Sequence, residues 1–234
     1  MIIFPLGTII LLIFLIWATW RTAQLLREVP LTENLLLLPA ENALRFALIL
    51  ACFGLGQISG LPHAQLGWQW MEPARDIVVG FFVGIVVAML VPPFTHWAVA
   101  RFGSHIYSPI IVRSVLPRNR REWLLVPLAL VLTVLLEELL FRSLLLGGFG
   151  TIAPPLVLAI AWSLIFGAMH APQGALGVAV AAVLGLLLSF SFLWTQGLIV
   201  PLIAHYVINL LQLVWASHDK TVLESMNADT GSHL

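Results

Sequence analysis

Of the 234 residues, 60% are hydrophobic and only 9% are charged, at zero formal net charge. The mean hydropathy of +1.01 lies outside the range of soluble domains and marks an integral membrane protein, with the lipid bilayer as its first partner. Ten arginines and Lys220 form no basic surface suited to nucleic acid, and the single Cys52 excludes both an intrachain disulfide and a thiolate metal cluster.

A spanning helix needs about 20 mostly apolar residues. Seven segments qualify, so the expected fold is all-α, a polytopic membrane bundle of about seven transmembrane helices. Residues 2–20 read as a retained first span rather than a cleaved signal peptide: no positive charge precedes the apolar run, and Arg21 and Arg27 follow it. The second candidate, 43–60, is the weakest, since it begins near Arg45 and ends in a glycine-rich stretch. Residues 77–97, 123–146, 153–171, 175–193 and 197–215 complete the set. Residues 1–216 form a single membrane domain, and 217–234 a polar C-terminal tail. Trp68, Trp70, Trp97, Trp123, Trp194 and Trp215 fall at expected span ends, as interfacial tryptophans do.

Arginine and lysine placement sets the expected orientation. One face receives Arg21, Arg27, Arg101, Arg113, Arg118, Arg120, Arg121 and Lys220, while the loops of the other hold only Arg75. The sequence therefore predicts a multi-pass protein of the cell membrane with its N-terminus outside, its C-terminus in the cytoplasm, and a basic cytoplasmic loop over 98–122.

Charges within spans are costly, roughly 2.5–3.5 kcal/mol for Asp, Lys or Arg at a helix centre, and they mark function. The fourth span carries three: Glu137, Glu138 and Arg142. Glu138 and Arg142 are four apart and share a helix face, so they form an internal pair, whereas Glu137 is rotated by about 100° and left to face something else. The fifth span ends in Phe166 and His170, one turn apart, and the seventh places His205 and Asn209 one turn apart in an apolar helix. Taken singly, such polar groups can simply hydrogen-bond between helices. Converging, they supply a base for water and donors for an oxyanion, the parts of a hydrolase.

In this order on three helices, E-E-x-x-x-R (Glu137, Glu138, Arg142), F-x-x-x-H (Phe166, His170) and H-x-x-x-N (His205, Asn209) resemble the signature of the CAAX protease and bacteriocin-processing family of intramembrane proteases, over residues 123–215. The resemblance implies an intramembrane endopeptidase acting on a membrane-associated or lipidated protein or peptide. In the family's eukaryotic branch the substrate is prenylated and loses its last three residues. Glu137 would activate water with His170 positioning it, His205 and Asn209 would stabilise the oxyanion, and Glu138, Arg142 and Phe166 would brace the site. No cofactor is expected to be required; zinc is the one candidate, and Glu137, His170 and His205 would be its ligands, although the H-E-x-x-H of soluble zinc proteases is absent. The motifs of rhomboid, presenilin-like and site-2 proteases are absent too. The alternative functions are a catalytically silent scaffold or peptide-binding protein of the same family and, from another class, a proton-relaying transporter, which the lack of repeat symmetry disfavours.

Straight-helix arithmetic sets Glu137 and His205 at similar depths but His170 about 10 Å lower. Two remedies are available: a strongly tilted fifth span, or a segment 147–155 that dips into the protein.

Overall fold

The computed structural model describes residues 2–28 and 33–219. Lys220 and the rest of the expected tail, 220–234, lie outside the described residues. The fold is all helical: α1 (Ile3–Glu28), α2 (Pro39–Ile58), α3 (Pro73–Phe102), the short α4 (Ile110–Val115), α5 (Arg120–Glu138), α6 (Pro155–Met169), α7 (Gly174–Thr195) and α8 (Ile199–Ala216). Beyond Glu138, α5 continues as a π-helical segment, Leu139–Gly147.

Among the described residues six helices are long and apolar enough to cross a membrane, and the protein is integral to one. The expected fifth span differs. It is α6, of 15 residues, which at 1.5 Å per residue is about 22 Å, against a hydrocarbon core of about 30 Å. The shortening has a local cause. Gly147, Gly148 and Phe149 are buried whereas Gly150, Thr151, Ile152, Pro154 and Pro155 are exposed, so only the first part of the 147–155 segment dips into the protein before Pro155 starts α6. The Gln65 side chain donates to the Gly147 carbonyl at 3.0 Å and the Trp162 indole N–H to the Leu145 carbonyl at 3.0 Å, satisfying acceptors that a helix end leaves without intrahelical donors.

Interloop hydrogen bonds sort the connections onto two faces. On one, the Asn34 side chain donates to Val115 O at 2.8 Å, and Ser108 N–H donates to Gln173 O at 2.9 Å, joining the α1–α2, α3–α5 and α6–α7 connections. On the other, Gln65 meets the end of the π segment, and Leu198 N–H donates to Gly67 O at 3.1 Å. Short as it is, α6 therefore links the two faces. The first of them carries most of the arginines, and we call it the basic face.

The core gathers around the π segment, all nine residues of which are buried. Phe4, Leu11 and Leu12 of α1, Cys52 of α2 and Ala159 and Phe166 of α6 pack against it. Arg45, the reason for doubting the second span, is half-buried beside its own-helix Glu41 at 3.2 Å, so its charge has a partner. Helices α3 and α8 run parallel in close contact because glycines face α8: a Cβ at Gly84 would lie 2.7 Å from Val207 Cβ and 2.9 Å from Ala204 O. That contact fixes the height of α8, and with it His205.

Candidate active site

The two adjacent glutamates face different surroundings, as the helical rotation between them demands. Glu138 is fully buried, while the Glu137 side chain keeps 21% of its surface exposed and lines a cavity of about 930 Å³. Phe166, His170, His205 and Asn209 line the same cavity, so the structure brings together the groups that the motifs single out. Ser104, Tyr107, Gln173 and Asp219 also line it, all at the basic face. No lining residue comes from the opposite connections at 59–72, 147–154 or 195–198, so the mouth opens at the basic face. Burial, then the nearby charge of Asp219, pushes the Tyr107 phenol above its usual range.

Behind Glu137 lies a buried charged cluster. Arg142 Nη1 donates to Glu138 Oε1 at 3.0 Å, the expected internal pair, and Nη2 donates across to the Gly185 carbonyl of α7 at 3.0 Å. The guanidinium also stands 5.1 Å from the centroid of the Phe166 ring, a cation–π distance. The sequence assigned Glu138 to Arg142 alone. In the fold its Oε1 also accepts from His205 Nδ1 at 2.6 Å, a contact spanning 67 residues of sequence. No spacing rule within one helix could have signalled it, nor the Gly185 carbonyl. His205 Nε2 is left pointing towards Glu137, 3.6 Å from Oε2.

Phe166 is the hub between the histidines. Its ring centroid lies 4.8 Å from that of His170 and 6.0 Å from that of His205, and Phe141 meets it edge-on at 5.1 Å. His170 Nδ1 is 2.8 Å from the Phe166 carbonyl, an acceptor only, so Nδ1 carries the hydrogen and Nε2 is left as the ring's acceptor. Both imidazoles thus pack against Phe166.

As for a metal, Glu137, His170 and His205 share the cavity wall, but among the described residues no three His, Cys, Asp or Glu side chains cluster closely enough to hold an ion. A catalytic zinc takes three protein ligands. As they stand, the described side chains do not make up such a set.

Residues 119–211 match a family model described as "Rce1-like: Type II CAAX prenyl endopeptidase Rce1-like". No curated protein and no solved structure matches the chain. The matched stretch runs from the start of α5 into α8 and contains all seven motif residues, the buried cluster and the π segment. Over residues 119–211 this membrane protein is therefore similar to the Rce1-like family of CAAX-type endopeptidases.

Proposed function

We propose that the protein is an intramembrane endopeptidase that hydrolyses a peptide bond of a membrane-associated or lipidated protein or peptide admitted from the basic face. The observation that carries this reading is Glu137: a carboxylate on a cavity wall inside the bundle, beside His205 and without a place in the Glu138–Arg142 pair.

In the proposed reaction, Glu137 removes a proton from water while His170 Nε2 accepts the water's other hydrogen, holding its lone pair towards the scissile carbonyl. Attack forms a tetrahedral oxyanion. Asn209 donates to it through its amide. His205, whose Nδ1–H is committed to Glu138, donates through Nε2 as the imidazolium; with Glu137 now carrying the water's proton, its charge and that of Arg142 offset Glu138 and the oxyanion. Glu137 then returns its proton to the leaving amine as the C–N bond breaks, leaving the carboxyl product and regenerating the base. Glu138 and Arg142 touch no substrate and serve to aim His205.

The test uses purified protein in lipid nanodiscs and a quenched fluorescent peptide with a prenylated cysteine near the cut. The parent should cleave it and Glu137→Gln should not, with the same folded yield. Cleavage by Glu137→Gln at the parent rate would show that the carboxylate is not the base.

A further inference from the structure

We infer that Gln212 is a substrate-positioning residue, holding the peptide backbone of the substrate arm that runs from the reacting bond to the mouth of the cavity. This rests on the endopeptidase reading of the cavity. On α8, His205, Asn209 and Gln212 stand at i, i+4 and i+7 and so share one face, and all three line the cavity. Sequence reasoning stopped at Asn209 because the family motif ends there.

Distance and chemistry both favour a backbone contact. Seven residues of helix rise about 10.5 Å, and an extended peptide advances about 3.3 Å per residue, so Gln212 lies about three residues from a reacting bond at the height of His205. An extended chain entering this largely apolar space carries peptide N–H and C=O groups that need partners there. A primary amide meets both kinds, accepting through its oxygen and donating through its nitrogen. The amide is also uncommitted. Gln65 and Gln196 each give theirs to a backbone carbonyl, at 3.0 and 2.7 Å, whereas the Gln212 side chain makes no hydrogen bond to any described residue. Gln212 is itself half-buried, one turn from the buried Ile208, and Asp219, nearer the mouth, is already paired with His96 at 3.1 Å.

The experiment compares the parent with Gln212→Leu in nanodiscs on fluorescent prenylated peptides carrying one to five residues on either side of the cut, reading affinity by polarisation and turnover by cleavage. Gln212→Leu should weaken binding and raise KM by about 3- to 10-fold, the size of one neutral hydrogen bond, with kcat within about twofold. The effect should appear only when one arm reaches three residues. Equal affinity of the two proteins for every peptide, or a loss of the same size at every length, would overturn the inference. Peptides that the parent binds but never cuts would refute the endopeptidase reading while the length dependence still judges Gln212. Failure of the parent to bind any of them would sink both.

Discussion

His205 Nδ1 lies 2.6 Å from Glu138 Oε1, so the second glutamate of the pair, rather than the first, holds the imidazole that faces the cavity. The same carboxylate oxygen accepts from Arg142 at 3.0 Å. Glu138 thereby joins α5 to α8, while Arg142 joins α5 to α7 through Gly185. The buried charges tie the cavity wall together from behind and leave Glu137 in front of them.

This division of labour predicts that the two glutamates fail differently. Glu137→Gln should abolish hydrolysis and leave the melting temperature within about 2 °C of the parent, because Glu137 takes no part in the Glu138–Arg142 pair. Asn209→Ala should be milder, slowing turnover by about a hundred- to a thousandfold, the usual cost of one oxyanion donor. Rate assays beside thermal melts of the two variants check this, and a melting point lowered as far by Glu137→Gln as by a change at Glu138 would contradict it.

Arg142→Ala should lower both folded yield and activity. Removing one partner of a buried ion pair costs about 3–5 kcal/mol, and this arginine also gives up the Gly185 carbonyl and its place over Phe166. Arg142→Lys should restore little, since one ammonium does not reproduce a guanidinium that reaches two acceptors and stacks on a ring. If Arg142→Ala melts with the parent yet is inactive, the guanidinium acts on substrate rather than as a brace.

Gly84→Val tests how α8 is positioned. Even a Cβ there would crowd Val207 and the Ala204 carbonyl, the residue next to His205, so α3 and α8 must separate. Overpacking of this kind typically costs about 1–3 kcal/mol. Melting temperature and turnover should fall together, and Gly54→Val, where nothing lies within 4 Å of the added carbon, should change neither. Equal behaviour of the two variants would mean that the glycine contact does not set the height of His205.

The helical architecture was legible because long apolar runs have few alternatives in lipid, and the division between Glu137 and Glu138 was legible because 100° per residue admits no other outcome. The short α6 was not. Its hydropathy is that of a spanning segment, and its length is set by where the preceding helix ends, at a glycine pair packed beneath the loop of Gln65. Nor was the Glu138–His205 contact, which depends on how α5 and α8 stack. Sequence spacing resolves faces within one helix; the pairing of faces between helices needs the fold.

Orientation is open to a separate test. Reporter fusions within 98–122 and at the C-terminus should both report cytoplasm, and a fusion within 62–69 should report the outside, because arginines concentrate on the face where the cavity opens. The 15-residue α6 does not alter this count, since it still links the two faces. The opposite pattern would place the mouth of the cavity, and substrate access with it, on the outside.

Catalysis should need no tightly bound zinc. Glu137 and His205 supply two donors, whereas a catalytic zinc takes three protein ligands at about 2.0–2.2 Å, and among the described residues no third His, Cys, Asp or Glu completes the set. His170 gives its Nδ1–H to the Phe166 carbonyl and packs on the Phe166 ring at 4.8 Å, while His205 meets that ring at 6.0 Å. Asn209 suits an oxyanion better than a metal. Protein purified in nanodiscs should therefore keep its turnover after chelator treatment and hold well under one zinc per chain by elemental analysis. Zinc near one equivalent, with turnover lost on chelation and regained with zinc alone, would assign the water to a metal instead of Glu137.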